Sequence, residues 1–168
     1  MSEFRDQIAQ YRAAIEEFLQ GKFCEDLPQK RLFDAMRYSL LAGGKRLRPV
    51  LAQAFCELCG GSAMDALPFA AAVEMVHTYS LIHDDLPCMD NDDYRRGKLT
   101  THKKFGEDFG VLAGDGLLNY AYELLFNGIS EVTEPDDLIR CVKAAKVIAY
   151  KAGIYGMVGG QSLDVWLA

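Results

Sequence analysis

Apolar and polar positions along this chain follow the period of an α-helix almost throughout. In EFRDQIAQYRAAIEEFLQG the apolar residues Phe4, Ile8, Tyr11, Ile15 and Phe18 step by four and three, and Gly21 supplies a stop. A second helix is expected from Pro28 to Leu41, with Leu32, Phe33, Met36 and Leu40 on one face, ending at Gly43–Gly44. Pro49 suits a first helical turn, so a third helix is read from there through Leu58, closing at Gly60–Gly61. The stretch FAAAVEMVHTYSLIHDDL is the most apolar of these helices and is expected to lie centrally, broken by Pro87. Residues 109–128 and 135–152 give two more, and a last begins near Tyr155 and runs to the end of the chain. The acidic start TEPDD of the 135–152 segment suits the positive end of a helix dipole. No two alternating runs are joined by a turn, so no hairpin is expected and the fold class is all-α.

Composition narrows the function. At 168 residues, half of them hydrophobic, the chain suits a single domain, residues 1–168, with a substantial core. A net charge of -6 argues against a general nucleic-acid binder, because its basic residues are local, in RLRP and YRRGK. No apolar run reaches the length of a membrane span, the N-terminus is polar, and a cytoplasmic location is expected. The five cysteines, an odd count, suit free thiols, and Cys56 and Cys59 read as buried structural thiols rather than half of a zinc site.

The chemistry concentrates in HDDLPCMDNDDYRRGK, where five aspartates fall within ten positions and meet two arginines and a lysine. Seven residues make almost two helical turns, so His77 and Asp84 share a face, with Leu81 between them and Asp85 beside. Carboxylates ending a buried helix need arginine or a divalent metal to neutralise them. Magnesium takes one or two carboxylates plus phosphate oxygens, a habit that a DDxxxxD pattern of Asp84, Asp85 and Asp90 fits. Calcium is disfavoured, since the glycine and glutamate of an EF-hand loop are missing. Arg95, Arg96 and Arg48 can fork phosphate oxygens, and Lys45 adds a point charge from the loop GGKRLRP. Taken singly, the arginine pair could merely balance the aspartates and GGKRLRP could be a basic turn after a helix. Together they point to a site for two phosphorylated groups and magnesium.

The segments LAGGKRLRPVL, MVHTYSLIHDDLPCMDNDDYRRGKLTTHKKFG, AGDGLLNYAYELL and GMVGGQSLDV resemble the trans-prenyltransferases, the short-chain isoprenyl (polyprenyl) diphosphate synthases, from about residue 30 onward. The resemblance implies an all-α isoprenoid-synthase bundle, a homodimer, and condensation of isopentenyl diphosphate with an allylic diphosphate. It implies that Asp84, Asp85 and Asp90 bind magnesium bridging the allylic diphosphate and that Arg95 binds that same group. Lys45, Arg48, His77 and Arg96 match the holders of isopentenyl diphosphate, and Gln161 and Asp164 the cavity near the reacting carbons. Loss of diphosphate from an allylic carbon leaves a carbocation, a step that metals and arginines assist by stabilising the leaving charge.

Product length is read from Tyr79, followed by Ser80, about a turn and a half before Asp84. In the resembling family an aromatic there goes with a fifteen-carbon product, so a bacterial-type farnesyl diphosphate synthase is expected, with geranylgeranyl diphosphate as the alternative and a purely core Tyr79 as the bland one. The family's lysine–threonine pair and second aspartate-rich motif are missing before Ala168, so the chain is expected to be the N-terminal part of a synthase, cut after six to seven helices. A non-catalytic subunit paired with a complete synthase stays open. A phosphohydrolase built on His83–Asp84 would need more histidine and aspartate ligands and leaves GGKRLRP unexplained.

Overall fold

The amphipathic stripes at the start of the chain form α1 (Ser2–Gln20), α2 (Lys30–Leu40) and α3 (Leu47–Leu58) in a computed structural model that describes residues 2–167. In α1 the stripe turns inward through Tyr11, Ile15 and Leu19, while Phe4 at its start is exposed. Helix α3 begins two residues before Pro49, which still lies in the first turn.

Helix α4 (Leu67–Asp84) is buried around most of its circumference, Ala70, Ala71, Ala72, Met75, Tyr79 and Ile82 among the buried residues, and leaves the strip of Val73, His77, Ser80, Leu81 and Asp84 half-buried. It packs on α1, α2 and α3 and most extensively on α6 (Glu107–Ser130). Gly114 makes that last approach possible. A Cβ there would stand 2.0 Å from His83 Nε2, so any side chain would displace the imidazole from its place between the last turn of α4 and the α6 backbone. His83 Nε2 then meets the Val111 carbonyl at 3.1 Å, and the imidazole lies edge-on to Tyr79.

The expected all-α architecture holds, with one correction. Tyr94–Arg95 (β1) and Lys98–Leu99 (β2) form a short antiparallel ladder in which Tyr94 pairs with Leu99 and Arg95 with Lys98. Arg96 and Gly97 connect them with φ of 53° and 76°, the mirror-image turn that matches the twist of paired strands. Strands of two residues carry no alternation, which is why hydropathy gives no sign of them. A single-turn helix, α5 (Thr101–Phe105), also escapes the periodicity.

Helix α7 (Pro135–Ala152) has the expected bounds, and α8 (Met157–Leu167) follows; the expected final helical residue, Ala168, lies outside the described residues. The reading of buried thiols is overturned: Cys24, Cys59 and Cys88 are exposed and Cys56 and Cys141 half-buried, all free, because Cys59 ends α3 at the surface. No helix among the described residues is long and apolar enough to cross a membrane.

Helices α7 and α8 leave Ile139, Val142, Val147, Tyr150, Val158, Leu163 and Trp166 exposed, a concentration of large apolar side chains at the surface of the kind that marks an interaction face. This polypeptide is expected to self-associate in a concentration-dependent way in sedimentation velocity, and Val147→Glu with Tyr150→Glu to reduce that association. A monodisperse monomer at all concentrations would contradict it.

Candidate functional site

The end of α4 and the loop that leads into α3 create two adjoining charged regions. Helix α4 stops at Asp84, with Asp85 as its C-cap, and the chain reverses after Pro87. The Asp90 amide donates to the Asp84 carbonyl at 2.8 Å, and the Asn91 amide to that of Leu86 at 3.1 Å. Asp90 is thereby tied back to the helix end, as the break at Pro87 leads one to expect.

Asp85 is buried, and its charge is matched by Arg95. Arg95 Nε donates to both carboxylate oxygens, at 2.8 and 3.0 Å, and Nη2 approaches Oδ1 at 2.6 Å. Arg95 also stands 3.8 Å from Asp92. Removing one partner of a fully buried pair typically costs about 3–5 kcal/mol; with the Arg95 side chain 32% exposed, solvent screening makes the loss here smaller. Asp84 has no such relief. Burial holds its carboxyl above the usual range, Asp90 and Asp85 add to this, and Arg95 and His83 oppose it.

The second region is a cleft of about 470 Å³ lined by Lys45, Arg48, His77 and Arg96, with Arg46 and Glu74 beneath. Lys45 and Arg48 are exposed, and no ion pair among the described residues involves either. Arg96 closes one wall by donating to the Gly43 carbonyl. Gly44 permits this: its φ is 139°, and a Cβ there would lie 2.9 Å from Arg96 Nη1. His77 is pushed down to about 4, first by burial and then by Arg48, Arg96, Arg95 and Arg46. It is therefore neutral at physiological pH, in a cleft where cations outnumber the single carboxylate, Glu74.

The sequence puts His77 and Asp84 on one face, but they answer to different neighbours. His77 shares the cleft with Lys45, Arg48 and Arg96, Asp84 stands with Asp90 and Asp85 at the helix end, and Arg95 acts on both. Gln161 and Asp164 are not brought to the cleft; they sit on α8, half-buried and exposed respectively, against α7. Tyr79 is 6% exposed within the core, and Ser80 Oγ donates to the His77 carbonyl at 2.9 Å.

Three residues absent from the sequence reading support the cleft. Arg46 Nε donates to Glu16 Oε1 at 2.8 Å, Nη1 to Glu74 Oε1 at 2.7 Å and Nη2 to the Leu40 carbonyl at 2.8 Å. Glu74 is itself the signal that could have found them. A carboxylate in the apolar run FAAAVEMVHTYSL demands a buried cation.

As a metal site, the helix end offers hard oxygen donors that crowd one another, the chemistry magnesium neutralises. No three carboxylate, histidine or cysteine side chains among the described residues are already gathered to hold an ion. The set fits a cation that draws part of its shell from phosphate and water.

Residues 29–168 match the family model "Polyprenyl synthetase", and the chain belongs to that family. It is 58% identical over 136 residues to the large subunit 1 of a heterodimeric chloroplastic geranylgeranyl pyrophosphate synthase of Arabidopsis thaliana, covering 80% of this chain and 36% of that protein. A dimethylallyltranstransferase of Fischerella ambigua is 49% identical over 95% of this chain and 45% of its own length. The apo crystal structure of an FPP/GFPP synthase from Zymomonas mobilis superposes with a TM-score of 0.87 at 41% identity, over 98% of this chain and 58% of that one. The chain thus spans less than half the length of these two curated relatives.

Two pH effects of opposite sign are expected in chelator. Asp84 holds its proton more tightly folded than unfolded, so stability falls as pH rises from 3.8 through its raised value. Asp84→Asn should therefore raise Tm at pH 7, with the gain gone below pH 3.8. His77 takes its proton less readily folded, so stability is lost as pH falls from 6.5 to about 4. His77→Gln should flatten that decline, measured by urea unfolding across the interval.

Proposed function

We propose that this chain forms the diphosphate-binding part of a prenyltransferase that joins isopentenyl diphosphate to an allylic diphosphate, dimethylallyl or geranyl. The observation that carries this reading is the pair of charged regions meeting at one turn: a cleft of unpaired cations on one side and an oxygen-rich helix end on the other, with Arg95 and Arg96 adjacent between them. Each suits one phosphorylated group.

On this reading Lys45, Arg48 and Arg96 grip the isopentenyl diphosphate, and neutral His77 donates a hydrogen bond without adding charge. Asp84, Asp85 and Asp90 would hold magnesium. Magnesium, when bound, supplies positive charge that steadies the departing allylic diphosphate. Arg95 exchanges its carboxylate for that diphosphate, a fork-to-fork replacement that conserves its hydrogen bonds. Gln161 and Asp164 enter the proposal through their motif alone. So does the homodimer, supported further by the apolar outer face of α7.

For the product, the buried bulk of Tyr79 on α4, a turn and a half before Asp84, supports a fifteen-carbon chain. A twenty-carbon product is the second reading, favoured by the relatives named geranylgeranyl pyrophosphate synthases from Arabidopsis thaliana and Capsicum annuum.

The test is incubation with magnesium, geranyl diphosphate and labelled isopentenyl diphosphate, with products resolved by length. A fifteen-carbon product is expected, reduced about a hundredfold or more by Asp84→Ala and lengthened by Tyr79→Ala. No product, with diphosphate binding lost on Arg95→Ala, would leave a binding half-site without turnover. Failure to bind diphosphate at all would overturn the proposal.

A further inference from the structure

Arg46 stands between Lys45 and Arg48 in sequence, yet it faces the other way. Its side chain is fully buried while those of Lys45 and Arg48 are exposed on the cleft. The reversal comes from its backbone, which takes left-handed φ and ψ of 50° and 35° at the N-cap of α3. A residue with a Cβ adopts that conformation at a cost, and holds it when its surroundings over-determine it. Here they do so three times over, through Glu16 of α1, Glu74 of α4 and the carbonyl of Leu40 at the end of α2.

The electrostatics point the same way. Glu74 is a buried carboxylate in the floor of a cleft that faces anions, 2.7 Å from Arg46 Nη1. Without that partner it would repel whatever Lys45 and Arg48 attract. Burial works against the charge on Arg46, but Glu16 and Glu74 outweigh it, so the guanidinium is committed to them.

We infer that Arg46 is a positioning residue: it aims Lys45 and Arg48 at the diphosphate and cancels Glu74 beneath it, without touching the ligand. This rests on the reading of the cleft as a diphosphate site. Arg46→Lys keeps the charge but replaces a planar fork by a single point of donation, and Glu16→Gln takes the charge from one tether at the half-buried edge of the cluster.

The probe is inorganic diphosphate, titrated by calorimetry into the chain and its variants, with folding checked by circular dichroism and His77 followed by NMR. Both variants are expected to weaken binding about tenfold, the loss typical when an outer partner that orients a binding group is removed. Both should also raise the His77 midpoint from about 4, since the Arg48 charge that helps depress it would stand farther away. A purely structural Arg46 would lower stability and leave the His77 midpoint of the folded protein unmoved. Should Arg46→Lys not fold, Glu16→Gln decides by the same two readouts. Unchanged binding and an unchanged midpoint, alongside weakened binding in Arg48→Ala, would overturn the inference and leave the site standing. An unsubstituted chain that binds no diphosphate would instead sink the reading of the site.

Discussion

Everything at this site depends on the dryness of α4. A helix buried around most of its circumference has little surface on which to leave a polar group, so those it carries must be answered from another element or by its own backbone. Glu74 is answered by Arg46 from the α3 loop, and Asp85 by Arg95 from the hairpin. Thr78 turns its hydroxyl back to the Glu74 carbonyl at 2.8 Å. His77 gives up its charge altogether. Asp84 alone is left strained by its neighbours. The list of compensations is nearly the list of residues that define the site, because the same burial that makes charge costly also makes it strong.

That relation explains which way the trade runs between stability and chemistry. The paired groups, Arg46 with Glu16 and Glu74, hold the bundle together and have little left to offer a ligand. The unpaired ones stand apart: Asp84 carries its charge at a cost to folding that a cation would relieve, and Lys45 and Arg48 have no ion-pair partner among the described residues and face the cleft. Sites of this kind put perturbed groups where function needs them.

Much of this was legible in the residues. Periodicity locates α1, α2, α4, α6 and α7 because amphipathic or wholly apolar helices leave a regular trace, and the bounds of α7 follow from Pro135 and Gly153. The carboxylates and cations of the site were found because like charge at a helix end is costly and therefore conspicuous. What escaped had no periodic trace: a ladder of two-residue strands and the single turn of α5. Arg46 escaped for another reason. Lys45 before it and Arg48 two residues after it are basic and exposed, and the left-handed backbone at Arg46 separates its role from theirs. The split between His77 and Asp84 likewise depends on which loops fold over each, and helix geometry alone is silent on that.

The hairpin turn has a mechanical meaning. Arg95 holds a carboxylate of α4 and Arg96 a carbonyl of the loop before α3, and consecutive Cα atoms lie about 3.8 Å apart. No hinge fits between them. The turn is a rivet through two parts of the bundle: either arginine can leave its anchor by rotating its own side chain, but the left-handed backbone at Arg96 and Gly97 keeps the two within reach of both parts.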